Sequence, residues 1–532
     1  MKHAFMGLAT VLGGIIGFSP AAHAQGSYAE DALLYSRQNP AGTARVLGLG
    51  GASVSLGGDF SNLTSNPAGL GFFTKSEFTL TPGVGFGTGN STPVGNAAAT
   101  GSLTTMNQTA NSFHLANVGL VFASRRADND NSSDWRGGSF ALGFTRLADF
   151  NQGFSYQNQT DDNHSFFQFL REPGGYTNYT DPNYQAAVQR TAKQYSSNDY
   201  YNLDGLAAAG SLSNTITIKN PSSPSNPYYQ IQTPGRTGPI TQREQVTSKG
   251  SLSQFDLGYG GNYRDKLYIG LGVGVVSLNN TRTSNYSESS NGGEDFNYQD
   301  YLKTTGTGVN GRLGLIYRVA DAVRLGASVQ TPTYIRLSTE ASTTLTSQYT
   351  PNGQSNVFST TSQPAYEYSV TLPMRANGGL TVLLAKYGFL TGDIEYVNYA
   401  GSRFSTIDGS TDSDLSDNNA LISTGYRNVV NFRVGAEGRF DIFRARLGYA
   451  RNASPYAGTS SFNRDQNYYT AGLGIRSKGY FVDLAGVYMR YEDRYAPYAL
   501  ANGPNSVTGG VSPLIANTYN RVTVSLTGGL LF

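Results

Sequence analysis

The chain offers little to an enzyme. Cysteine is absent and only four histidines occur in 532 residues. His3 and His23 fall in the first 24 residues, which read as a leader, while His114 and His164 stand alone. Two isolated imidazoles without thiolates make no zinc-type cluster, so neither a metal nor a cofactor is expected. A hydrolase built on His114 would need a serine and an acid in a recognisable setting, and none surrounds it. "GLGGAS" (48–53) fails as a dinucleotide fingerprint, because Ser53 stands where a third glycine belongs and no βαβ unit follows. The acidic run "DGSTDSDLSD" (408–417) suits a solvated loop better than a cation site. Chemistry is left to Arg312, Arg433, Arg439, Arg444 and Arg446, with Glu437 among them. They fall on the polar parity of strand-like runs, where they either clamp a carboxylate head group or pair with lumen acids. The second reading is favoured, and no enzymatic activity is expected.

Such side chains need a wall to hold them. Charged residues make up 14% of the chain, against roughly 25% in soluble globular proteins. Apolar residues do not replace them, at 38%; Gly (65), Tyr (36) and Phe (27) do. That mixture suits a barrel with one face in lipid and one in water. A formal net charge of +2 implies no nucleic-acid partner. "MKHAFMGLATVLGGIIGFSPAAHA" (1–24) combines a basic head, a short apolar stretch and an Ala-His-Ala cleavage site, so it reads as a signal peptide for export.

Period-two alternation recurs along the rest. In "NRVTVSLTGGLLF" at the C-terminus, Val522, Val524, Leu526 and Leu530 oppose Arg521, Thr523, Ser525 and Thr527. Fourteen such runs are legible, near 75–88, 112–125, 137–149, 250–263, 266–282, 306–319, 322–340, 365–385, 387–404, 428–440, 443–452, 467–478, 480–493 and 517–532. The connections sort strictly into short ("RDK", "ADA", "KY", "DI", "SKG") and long (283–305, 341–364, 405–427, 494–516). One longer member, "RRADNDNSSDWRGG", stands among the short set. The alternation predicts an all-β, 14-stranded antiparallel transmembrane barrel over 75–532, with short turns inside and long loops outside. The longest loop, 150–249, contains helix-like "YQAAVQRTAKQYSS" and "LDGLAAAGSL". It also holds an apolar cluster, Phe166, Phe167, Phe169 and Leu170, which either packs the loop down or docks an apolar ligand.

The segment 25–74 precedes the first strand and carries "RVLGLGGASVSLGGDFSNLTSNPAGL". With "LGASVQTPTY", "LPMRANGGLTV", "GDIEYVNYAGSRF", "VNFRVGAEGRF" and "RARLGYARNASPY" following in order, the chain resembles the FadL family of outer-membrane transporters for long-chain fatty acids and other hydrophobic compounds. The resemblance implies a small N-terminal plug inside the lumen, with Asp59, Asn66, Pro67, Ala68, Gly69 and Leu70 as its ligand or plug residues. It also implies a lateral gate at a kink in strand three, for which Gly137, Gly138 and Gly143 are the candidates. The implied function is passive transport of apolar molecules across the bacterial outer membrane, with sideways exit into lipid. The expected partners are an apolar small molecule, outer-membrane lipid and lipopolysaccharide, and the expected state is a monomer. Two other readings stay open: a binding platform for a secretion system, and a general porin, against which the plug argues.

Overall fold

In "LYIGLGVGVVSLNN" (267–280) every second residue is apolar and exposed: Ile269, Leu271, Val273 and Val275. Their neighbours Tyr268, Gly270, Gly272, Gly274, Val276 and Leu278 are buried on the other face. After Val275 the exposed side turns polar at Ser277 and Asn279. The exposed apolar stretch is therefore about as long as one tilted strand needs to cross a bilayer, about ten residues. The computed structural model describes residues 28–94, 105–127, 129–130, 132–172, 177–196, 217–219, 230–233, 236–290, 295–349, 354–359, 365–410, 413–458, 462–500 and 512–532. The leader and "LDGLAAAGSL" lie outside the described residues.

The wall is made of β1 (Glu77–Val94), β2 (Met106–Arg125), β3 (Trp135–Asp149), β4 (Gln152–Thr160), β5 (Ile240–Tyr263), β6 (Leu267–Ser290) and β7 (Asp295–Ala320). It continues through β8 (Val323–Gln330), β9 (Thr333–Tyr349), β10 (Tyr366–Leu372), β11 (Arg375–Leu383) and β12 (Gly388–Asn398). β13 (Asn428–Phe440), β14 (Phe443–Asn452), β15 (Gln466–Arg476), β16 (Tyr480–Tyr495) and β17 (Leu514–Leu531) complete it. The pairs β3/β4, β8/β9 and β10/β11 are each one strand interrupted, so the barrel has fourteen strands. Every pairing is antiparallel, and β17 returns to β1 from Glu77↔Leu531 to Val94↔Leu514, which closes the wall. Closure satisfies the backbone groups that an open edge would leave bare in hydrocarbon.

Several stretches expected as outer loops are strand instead. β6 runs on to Ser290 and β7 begins at Asp295, with their ladder reaching Glu288↔Phe296. β4 and the first part of β5 likewise turn the two ends of 150–249 into ladder, Gln152↔Ser248 to Thr160↔Ile240. Above the membrane the outer face of these strands turns polar, as at Asn297 and Gln299, and the inner face mixes Tyr286, Phe296 and Tyr298 with Ser284, Glu288 and Asp300, so the apolar alternation that marks a strand weakens while the hydrogen bonds continue. The "YQAAVQRTAKQYSS" helix is present, within Pro182–Ser196.

Inside the barrel sit α1 (Tyr28–Ser36), α2 (Ala44–Leu47), α3 (Asn62–Ser65) and a 3-10 turn, Pro67–Phe72. α1 buries Ala29, Ala32, Leu33 and Tyr35 against Leu147, Leu252, Leu278, Ile335, Tyr368 and Val429 of the wall. The lower plug is short-range and turn-rich, with Gly50 and Gly51 at φ 69 and 84, where only glycine is unstrained.

Candidate functional site

Small wall residues admit the plug. Gly119 of β2 and Gly143 of β3 are register partners, and a Cβ on either would meet the Phe60 ring. Phe60 packs there with Leu63, Leu70, Val121 and Ala141. On the opposite side Gly314 of β7 lies against the Asn66 side chain. Asn66 Nδ2 donates to Val54 O at 2.7 Å within the plug and to Leu315 O and Ala327 O of the wall at 3.1 and 3.2 Å. Asn66 Oδ1 accepts from Ala68 N at 3.1 Å, capping the turn that Pro67 starts. Asp393 of β12 accepts from the backbone of Ser53 and Val54 at 2.6 and 3.0 Å. Asp59 accepts from Thr43 Oγ1 at 2.9 Å and faces Arg45 at 3.6 Å. Gly69 and Leu70 are buried, Gly69 against Asn62 and Leu70 beside Phe60. Of the six plug candidates, Asn66 bonds the plug to the wall, Pro67, Ala68 and Leu70 pack on it, and Asp59 and Gly69 make their contacts within the plug.

Above the plug, the outer half of the lumen narrows to an aromatic chamber. Phe166, Tyr286, Tyr298, Tyr495, Pro497 and Tyr498 line it, with Glu244, Arg282, Ser284 and Asp300 between them. Phe154 and Tyr156 of β4 pack beside it with Tyr491 and Tyr519. The phenol hydroxyls of Tyr156, Tyr286, Tyr495 and Tyr498 are paired. Tyr156, Tyr495 and Ser284 donate to Glu244 at 2.9, 2.8 and 2.6 Å, Tyr286 to Glu288 at 2.7 Å, and Tyr498 to His164 O at 2.6 Å. With the polar ends satisfied, ring faces and edges remain for a ligand. The free space is about 30 Å³, on the order of one water, so an occupant must spread the roof.

That roof is α4 (Phe166–Arg171), started by Ser165, whose Oγ accepts from Gln168 N. Phe166, Phe167 and Leu170 are buried with Tyr286, Phe296, Tyr298 and Tyr498, and Phe169 packs at the edge. Arg236 stacks 3.9 Å over Phe167 and pairs with Glu288 at 2.7 Å. The loop cluster therefore packs the loop down, while Phe166 also reaches the chamber.

Beside the chamber the wall parts. β2 pairs with β3 only from Arg125↔Gly137 to Asn117↔Thr145, whereas β3 stays paired with β5 as far as Asp149↔Ser251. Beyond Asn117, the segment Met106–Ala116 keeps β1 as a neighbour and has no ladder on its other side among the described residues. The register of β3 shifts between Arg146 and Ala148, the strand breaks at Phe150–Asn151, and β4 resumes on β5 alone. β4 leans inward, with its Gly153 backbone against inward-facing Gly89 of β1. Outside, the edge of the opening carries Phe113, 80% exposed, and Leu115. Inside, side chains bridge it: Arg521 Nη2 meets Asp149 at 2.8 Å and donates to Ser112 at 2.6 Å, and Arg146 meets Asp149 at 3.2 Å. His114 lies 4.0 Å from the same carboxylate.

Of the three candidate gate glycines, Gly137 sits at a bulge beside the inner loop with φ 133. Gly138 and Gly143 lie in regular register. The break is further along, at Arg146–Asn151. The candidate lumen charges fall in three places, with Arg439, Arg444, Arg446 and Glu437 together in one of them. Arg312 meets Asp256 at 2.5 Å, Arg433 meets Glu395 at 3.0 Å, and Arg446 and Arg439 meet Glu437 at 2.8 and 2.9 Å. Arg444 donates to the carbonyls of Asp441 and Phe443. Sequence reasoning missed the chamber tyrosines, Glu244, Arg282, Asp149 and Arg521. Thirty-six tyrosines in the chain were the available signal, with no local motif to separate lining rings from packing rings.

No family model and no curated protein matches the sequence. Solved structures do. A Pseudomonas aeruginosa FadL homologue superposes with TM-score 0.53 at 12% identity, over 93% of this chain and 99% of that one. The chain has the FadL fold. The P. putida toluene transporter TodX (TM-score 0.46, 13% identity, 93% and 99% covered) and the CymD monoaromatic hydrocarbon channel (0.46, 12%, 92% and 98%) are also matched. At 12% identity the match to the FadL homologue shows the fold alone.

Proposed function

We propose that the protein conducts small hydrophobic molecules across the bacterial outer membrane, from the aromatic chamber sideways through the β2/β3 opening into the bilayer. The parted ladder beyond Asn117–Thr145 carries this reading, because β4, whose Phe154 and Tyr156 pack beside the chamber, leaves the wall there and the adjoining outer edge exposes Phe113 and Leu115. An apolar solute gains about 0.8 kcal/mol for each methylene taken out of water, so a step from chamber to acyl chains runs downhill. The plug, seated on wall glycines and bonded to β7, β8 and β12, obstructs the straight aqueous route and argues against a general porin.

The chamber's charges favour uncharged cargo. Glu244 and Asp300 line it against one guanidinium, Arg282. Among the described lining residues no surplus cation is left to hold a carboxylate anion, so aromatic or aliphatic hydrocarbons fit better than fatty acids. Uptake of labelled toluene and labelled oleate into vesicles containing the purified protein tests both parts. Toluene entry above protein-free vesicles, with oleate slower, is expected. Equal leakage of glucose, or no toluene entry, contradicts the reading.

A further inference from the structure

At the inner mouth, between plug and wall, lies a cavity of about 230 Å³ lined by Arg45, Arg439, Arg444, Arg446, Arg476, Glu437 and Asp483. Five guanidiniums face two carboxylates there. Glu437 is divided among Arg45 Nε at 3.5 Å, Arg446 Nε at 2.8 Å and Arg439 Nε at 2.9 Å, and Asp483 serves Arg446 at 2.5 Å. Arg444 holds only main-chain carbonyls, and Arg476 reaches Glu77 no closer than 3.9 Å. Even with Glu77 and Asp59 counted at the edge, positive charge is in excess. Arg45 belongs to plug helix α2 and the other four arginines to β13, β14 and β15. The excess charge therefore sits on the joint between plug and barrel, where Glu437 draws Arg45 toward the wall and the positive charge of Arg444 and Arg476 opposes it.

We propose that this cavity binds a small, multiply charged phosphate-type oxyanion from the inner aqueous compartment, and that the bound anion clamps the plug to the wall. Guanidinium groups present paired donors that match such oxygens, and a dianion between Arg45, Arg444 and Arg476 removes the repulsion. The lining side chains face the lumen, so a free anion reaches them and a lipid head group held in the bilayer does not. The site lies on the far side of the plug from the chamber and does not depend on what the chamber carries.

Inorganic pyrophosphate, titrated into the detergent-solubilised protein at constant ionic strength with chloride as the balancing salt, tests the binding. Hydrogen exchange over residues 42–59 tests the clamp. Saturable binding of one pyrophosphate per chain is expected, with plug exchange about tenfold slower at ten times Kd, as linkage requires. The double variant R444A/R476A, which leaves Arg45 and its partners intact, should lose both effects while keeping the barrel's heat-modifiable migration on gels. Anionic-lipid nanodiscs without pyrophosphate should leave plug exchange unchanged. Absent binding, undiminished binding to R444A/R476A, binding without slower plug exchange, or slowing by lipid alone would each overturn the proposal.

Discussion

Asn66 shows how much one side chain carries and how little of it is local. A turn at Asn66-Pro67 is readable from residue type, since Asn caps and Pro starts a helical turn. Its other partners, Leu315 and Ala327, are hundreds of residues away, and nothing near Asn66 announces them. Asn66→Ala leaves Val54 and two wall carbonyls without this donor. A loss of about 1–3 kcal/mol in plug stability is expected, read as faster hydrogen exchange over 42–70 with the barrel unchanged. At Gly143 the same seat is tested by added bulk. Gly143→Leu drives a side chain into the Phe60 ring, and overpacking of this kind costs about 1–3 kcal/mol. The expected outcome is a displaced plug, seen as higher and noisier conductance in planar bilayers. Unchanged conductance would place Phe60 elsewhere.

Strands and turns were legible to different depths. Where one face meets lipid and the other the lumen, as in Ile269–Val275, period two is plain and each strand could be placed. Where β6 and β7 rise beyond the apolar band, the outer face turns polar and the inner face mixes rings with charges, so the pattern fades and strand reads as loop. The break in β3 was legible only as an expectation of some kink. Glycine, common throughout, pointed to Gly137, Gly138 and Gly143, while the pairing breaks at Arg146–Asn151, where Asp149 and Arg521 hold the bend. Among the inner turns, Arg264–Lys266 holds two residues at positive φ, Arg264 and Asp265, both at 55. The turn is tied by Asp265 accepting from Arg125 at 2.7 Å and from Asn262 at 2.7 Å. The Arg125 hydrogen bond, then the one from Asn262, hold the Asp265 carboxyl below its ordinary value of 3.8. A depressed folded pKa adds stability above the ordinary carboxylate range and loses it as pH falls through the lowered value. Thermal melting of the wild type should therefore drop more steeply on acidification below about pH 4 than that of Asp265→Asn. Parallel acid profiles for the two would remove Asp265 from the account.

For the whole molecule, the route proposed above runs from the aromatic chamber, past the Arg521–Asp149 bridge, to the lipid beside Phe113 and Leu115. Barrel and strand count follow from the alternation, while the plug is expected from the resemblance of 25–74 to the FadL family. The chamber follows from neither, because its rings come from α4, β6, β7 and the segment after β16, brought together only by closure. Absence of native cysteine makes the path directly testable. Ser112 and Asp149 face each other across the opening, with Ser112 Oγ 3.4 Å from the carboxylate. In the double variant S112C/D149C, a short thiol cross-linker would staple β2 to β3. With the staple in place, toluene entry into vesicles should fall to the protein-free rate, while the unlinked variant keeps transporting. Undiminished entry through the stapled protein would contradict lateral passage at this site.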